Sequence, residues 1–128
     1  MSLRVAVVGA GPAGIYASDL LIRNEEHDIH VDLFEQMPAP FGLIRYGVAP
    51  DHPRIKGIVK SLHNVLDKDK LRLIANVTVG RDVTIDDLRD YYDAVVLSTG
   101  AVRDRELLIP GGDKSIGAGE FVGFYDGN

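Results

Sequence analysis

At 128 residues the chain is one domain's worth, long enough to bury a core and short for a multi-domain enzyme. Its formal net charge of −5 is spread along the sequence with no Lys/Arg run, so the charges read as a solvated surface and nucleic acid is not an expected partner. Cys is missing, which excludes disulfides, thiolate catalysis and thiolate metal sites, and no segment is apolar for long enough to cross a bilayer.

In chain order, LRVAVVG (Leu3 to Gly9) is a short β-branched run of the kind expected for a parallel strand covered on both faces. It opens a folded motif rather than following a basic leader, so no secretory signal is expected, and cytoplasmic placement is the default. Pro12 falls where a helix starts, and Ala13, Ala17, Leu20 and Leu21 follow on one predicted face. HDIHVDLFE supplies a second strand ending on Glu35, completing a βαβ unit expected to cross over right-handed. The next stretch, FGLIRYGVAPDHPRIKG (residues 41 to 57), alternates too little for a surface strand and holds too much Pro and Gly for a helix. A helix is predicted over Arg54 to Leu66, with Ile55, Ile58, Val59, Leu62 and Leu66 on one face and Asp51 or His52 as its cap. LRLIANVTVG (Leu71 to Gly80) reads as an edge or bent strand, and TIDDLRDYY as a short helix with Thr84 as N-cap and Asp87 three residues on. DAVVLSTGA reads as a third buried strand; beyond it Gly and Pro break every run until the aromatic ending FVGFYDG, which lacks a partner surface in the sequence and suggests a fragment.

Gly9-Ala10-Gly11-Pro12-Ala13-Gly14 is a G-x-G-x-x-G between a predicted strand and a predicted helix, and Glu35 lies 21 positions past Gly14. That is the spacing of a dinucleotide site. There the first glycine makes the turn, the second lets backbone approach a pyrophosphate at the helix N-terminus, and the third permits close helix–strand packing. Glu35 would accept hydrogen bonds from ribose hydroxyls and repel a 2'-phosphate; neither Gln36 nor Met37 supplies a cation. This first site is therefore expected to take FAD or NAD rather than NADP. His27, His30 and His63 show no metal-ligand spacing and read as structural or exposed.

The strand AVVLSTGA (Ala94 to Ala101) ends in a small, hydroxyl-bearing turn and resembles the second fingerprint of two-dinucleotide-binding flavoproteins, which favours FAD. PFGLIRYGVAPDHPRIK resembles the flavin-proximal loop of ferredoxin NADP reductases of the adrenodoxin reductase type, and NVTVGRDVT, IPG and FVGFYDG extend the likeness along the chain. The resemblance covers roughly the first quarter to third of that family's length. It implies an α/β, Rossmann-like FAD-binding domain with a parallel sheet at residues 1–102, and the truncated start of an NADP-binding domain or linker at 103–128. Gly9, Gly11, Pro12, Ala13 and Gly14 then hold phosphate, Glu35 and Gln36 meet the ribose, Gly42 and Leu43 lie beside the flavin, Val79 contacts the adenine region through its backbone, and Thr99 and Gly100 pass close to FAD. His52 matches a histidine near flavin and nicotinamide, and Arg105 a position associated with NADP; Arg45 and Arg103 are weaker candidates for NADP or for docking an acidic ferredoxin. Gly47 allows close backbone approach, Pro50 and Pro53 stiffen the loop, and Ile44 joins Leu43 as apolar cover. The implied reaction passes a hydride from NADPH to FAD and electrons singly to a ferredoxin-type iron-sulfur protein. With one glycine fingerprint and no C-terminal flavin-binding segment, the chain alone is expected to be inactive, the remainder of its own chain being a needed partner. A glutamate synthase small-chain-like flavoprotein and a non-catalytic FAD-binding module are the alternatives.

Overall fold

In the computed structural model, which describes residues 1–101 and 103–126, the apolar run at the start of the chain is β1 (Ser2–Val8). It pairs with β2 (Asp28–Phe34) and β4 (Ala94–Leu97), and β2 pairs in turn with β3 (Leu71–Ile74), all parallel, in the order β3-β2-β1-β4. The order reverses between β1 and β4, and in an open parallel sheet the crevice outside the strand C-termini at such a reversal is where ligands sit. Both fingerprint turns, after β1 and after β4, lie at that place.

Two apolar layers cover the sheet. Val5, Val7, Ile29, Val31 and Leu33 pack with Ile15 of α1 (Pro12–Ile22) and with Leu62 and Val65 of α4 (Val59–Leu66). On the other layer Ala6, Val8 and Phe34 meet Leu88 of α5 (Ile85–Tyr91). Alternate residues of β1 thus feed opposite layers, as the pleat requires, and helices on both faces explain why the strand shows no polar alternation. α5 starts with the predicted Thr84, whose side chain accepts from Asp87 N–H while the Asp87 carboxylate accepts from Thr84 N–H, a complete capping box.

Several expectations are corrected. The buried face of α1 is Gly14, Ile15, Ser18 and Asp19, not the face carrying Ala13 and Leu20; Leu20 is 73% exposed. Asp19 is drawn inward because Lys68, on the turn before β3, and Arg23 pair with its carboxylate. The helix expected from Arg54 to Leu66 is two pieces, α3 (Pro53–Lys56) and α4, since at Gly57 and Ile58 the bonds tighten: Ile58 N–H donates to Ile55 O and Lys60 N–H to Gly57 O. Its buried residues are Leu62 and Val65, while Ile55 and Ile58 are exposed. His52 stands at the N-cap position of α3 but makes no side-chain cap. The stretch from 41 to 57 is not all loop, because it also holds one turn of helix, α2 (Leu43–Tyr46). β3 ends at Ile74, well short of Gly80, and does lie at the sheet edge. β4 is only half-covered, with Leu97 63% exposed.

Beyond β4, Arg103 and Arg105 are exposed, and the chain goes on to a 3-10 turn at Gly112–Lys114 and α6 (Ala118–Asp126). The aromatic ending is therefore helical, with Phe121, Phe124 and Tyr125 facing outward. The Asp104 carboxylate accepts from Gly119 N–H and Glu120 N–H, satisfying first-turn donors of α6 from across the loop, and Lys56 Nζ pairs with Asp126 at 2.9 Å. The boundary residue at 102 and the end of FVGFYDG, Gly127 with Asn128, lie outside the described residues.

Candidate functional site

The glycine turn follows β1 directly. Gly9 has φ +107°, and a Cβ there would collide with the Ser98 carbonyl at the end of β4. Gly9 N–H donates to Phe34 O at 2.8 Å, so the turn is braced by β2 and β4 together. Gly14 closes the other side: a Cβ on it would strike the Gly9 carbonyl and lie 2.7 Å from Ser98 Oγ. Ser98 Oγ–H is within hydrogen-bond reach of Val8 O (3.0 Å) and Gly9 O (3.1 Å). The first and third glycines thus serve the turn and the close packing that their spacing predicts, and no side chain caps α1 behind Gly11. Pro12 stands at the first helical position, where its missing N–H costs nothing, and Ala13 beside it is exposed. A helix start of this kind, whose first backbone N–H groups have no intrahelical partners, suits a phosphate.

Glu35 ends β2 with both carboxylate oxygens engaged. Oε2 accepts from Ala10 N–H and Oε1 from Met37 N–H, each at 2.9 Å, and the residue is 7% exposed. The side chain therefore holds the glycine turn in place as well as marking the position where a ribose would lie; each carboxylate oxygen keeps a second lone pair for such a hydroxyl. Gln36 next to it is exposed.

The stretch that follows is fastened onto this turn. Phe41 N–H donates to Ala10 O at 2.8 Å, and the Phe41 ring is fully buried among Ile15, Ile44 and their neighbours, edge-on to His63 at 4.8 Å. Phe41 has φ +92°, a conformation that a bulky residue adopts only when its surroundings over-determine it. Gly42 then passes so close to Gly11 that a Cβ on it would sit 3.1 Å from Gly11 Cα. The second glycine of the motif thus has its close backbone approach from within the chain, where Gly42 forms one wall of the phosphate turn. Leu43, 58% exposed, points away from the core as cover for a ligand would; Ile44 does not join it, because it is buried beneath the loop. Gly47 lies against the Leu43 side chain. Arg45 is committed locally, its Nε–H donating to Pro40 O while its guanidinium lies 5.1 Å from the Phe41 ring centre.

His52 is exposed at the far end of the stretch, its Nδ1 2.7 Å from Asp51 Oδ1. Val79 is half-buried against the α5 layer and pairs through its backbone with Val83, beyond the end of β3. Thr99 and Gly100 are exposed at the reversal point. The structure therefore gathers Gly9, Gly11, Gly14, Glu35, Gly42 and the turn after β4 into one cradle; Arg103 and Arg105 stand in the exposed segment beyond it. Sequence reasoning missed Ser98, whose hydroxyl sits inside the quoted STG turn, Phe41, signalled only by an aromatic before a glycine, and Asp104, for which no local signal exists.

A four-stranded parallel sheet with a glycine turn after the first strand, a carboxylate at the end of the second and a strand-order reversal between the first and fourth defines a dinucleotide-binding α/β domain. The chain belongs to the NAD(P)-binding Rossmann-like domain family, whose model matches residues 7–70. Over 126 residues it is 42% identical to the NADPH:adrenodoxin oxidoreductase of Drosophila melanogaster, a match spanning 97% of this chain and 27% of that protein. It is 44% identical to the human mitochondrial enzyme of the same name over 97% of this chain and 25% of that protein. The solved structure of Mycobacterium tuberculosis FprA in complex with NADPH superposes with a TM-score of 0.92 at 42% identity, covering 98% of this chain and 29% of that one. The chain thus spans about a quarter of the length of the curated relatives it matches.

Proposed function

We propose that this chain forms the FAD-binding part of a flavoprotein reductase that takes electrons from NADPH and delivers them to a ferredoxin-type iron-sulfur protein. The observation that carries the reading is the fastening of residues 41 to 57 to the glycine turn through Phe41 and the Gly11–Gly42 contact. A plain dinucleotide site needs the turn alone; a loop built into the turn serves a ligand with a second functional end.

The cradle suits FAD: backbone N–H groups at the start of α1 face the place of a pyrophosphate, Glu35 stands where the ribose hydroxyls fall, and the carboxylate disfavours a 2'-phosphate there. When bound, FAD supplies hydride acceptance and one-electron release, chemistry no side chain here has. The chain's own residues do the rest. Gly9, Gly11 and Gly14 hold the phosphate turn; Gln36 borders the ribose; Leu43 shields one side of the flavin from water; Val79 contacts the adenine end through its backbone; Thr99 and Gly100 close the site from β4. His52 reaches the nicotinamide side with a proton-carrying ring, and Arg105 offers a guanidinium to the NADP phosphate. The segment from 103 onward opens the NADP-binding part. Arg45 and Arg103 are secondary candidates for the docking of an acidic partner.

No helix among the described residues is long and apolar enough to cross a membrane. A cytoplasmic placement rests on the sequence expectation alone, and the fly and human relatives are mitochondrial by name. The test is a visible spectrum of the full-length protein followed by anaerobic addition of NADPH and, separately, NADH. A flavin spectrum bleached by NADPH supports the reading; a protein without flavin, or one reduced by NADH alone, overturns it.

A further inference from the structure

Within residues 41 to 57 one polar contact has no structural employment. Asp51 and His52 are neighbours in sequence, both exposed, with side chains 56% and 68% accessible for the histidine and the aspartate respectively, yet Asp51 Oδ1 lies 2.7 Å from His52 Nδ1. Neither side chain caps α3, which begins at Pro53 directly after them. An exposed pair of this kind adds little to stability, so its effect is to be sought in what it does to the ring.

A carboxylate oxygen accepts hydrogen bonds and donates none, so the contact requires the proton to be on Nδ1. In the neutral ring Nε2 is then a free acceptor. The main chain holds the pair in place: His52 N–H donates to Ala49 O, and His52 O accepts from both Ile55 and Lys56 N–H, anchoring the residue to the first turn of α3 while Pro50 and Pro53 restrict the backbone on either side. We propose that Asp51 is a positioning residue that fixes the tautomer of His52, so that Nε2 meets the nicotinamide side of the site as a hydrogen-bond acceptor. This rests on the placement of His52 under the proposed function and adds to it the residue that sets the ring's orientation and proton.

The experiment uses the full-length, FAD-loaded protein with histidine labelled with nitrogen-15, and the variants D51A, D51E and H52Q. Ring-nitrogen spectra of the wild type, recorded across a pH series, are expected to report Nδ1 protonated and Nε2 bare in the neutral form of the ring. D51A is expected to move the ring toward the Nε2-protonated form and to slow flavin reduction by NADPH by about three- to tenfold, in kcat rather than KM. D51E is expected to restore most of both signals. Asp51 is exposed and bonded to nothing else among the described residues, so unchanged melting is expected of D51A. A wild-type ring protonated on Nε2, or a D51A protein with unchanged spectra and rate, overturns the inference. Slow reduction in H52Q with normal reduction in D51A refutes only the role of Asp51, whereas normal reduction in H52Q refutes the placement of His52 itself.

Discussion

Replacing Gly14 by alanine adds one methyl group at the most crowded of the described glycines. The new Cβ would fall on the Gly9 carbonyl oxygen, well inside the 3.0 Å that real Cβ atoms keep, and 2.7 Å from Ser98 Oγ. Of these neighbours only the hydroxyl can rotate away. The carbonyl belongs to a turn held by Phe34 O on one side and by Ser98 on the other, so α1 must retreat from the sheet by on the order of 1 Å. Overpacking of a core contact costs about 1–3 kcal/mol, here at the upper end or above because the obstacle is backbone. Alanine returns about 1 kcal/mol as a better helix former than glycine. The net expectation is a loss of about 2–3 kcal/mol, or roughly 6–15 °C in Tm for a domain of this size. Thermal unfolding followed by circular dichroism, beside FAD retention on a desalting column, measures both consequences, since a displaced α1 also spoils the phosphate turn. Adding S98A to G14A should recover little, because it leaves the carbonyl in place. A G14A protein that melts within about 1 °C of the wild type and keeps its flavin would show that the helix does not depend on this close approach.

Three further perturbations test other parts of the fold. E35Q replaces two acceptors by one acceptor and one donor, setting an NH2 group against the N–H of Ala10 or Met37; a stability loss of about 1–3 kcal/mol is expected in urea even before FAD is added, together with weaker FAD binding. Asp32, buried on β2, is opposed by burial but held below the ordinary carboxylate range by hydrogen bonds from Arg72, Tyr92 and Arg4. Its contribution is therefore complete above the unfolded value near 3.8 and is lost as pH falls through the lower folded value, so D32N should flatten the pH dependence of stability below about pH 4. T84A removes one half of the capping box of α5 and should cost about 1 kcal/mol, lowering the urea midpoint with no change in slope.

What could be read in advance was whatever is decided within a few residues. The glycine motif, the carboxylate 21 positions on, the first strand and the Thr84 cap are local patterns with local causes, and they recur in the structure at or within a residue of the expected place. The misreadings have causes that lie elsewhere in the chain. α1 turns Asp19 inward because Lys68 arrives from the far side of α4, which no window around residue 19 contains. Leu20 is apolar and yet exposed, so periodicity picked the wrong face. α6 closes on an aspartate 14 residues before its own start, and Phe41 is an anchor only because Ala10 and Ile15 wait for it. The cradle itself was legible in its types of residue and hidden in its fastenings.

The contact between Gly11 and Gly42 has a consequence for anyone who would rebuild this protein. Two loops separated by some thirty positions share a single wall, and on the Gly42 side only hydrogen fits without pressing on the other loop. Neither loop is then a free module. A transplant of residues 41 to 57 into another scaffold of this type must keep its own glycine at position 42, where a Cβ would press on the backbone of the glycine motif, and must bring a pocket for one buried ring. Random variation in the stretch should accordingly register first as lost affinity for the dinucleotide, before any change in the chemistry at its other end.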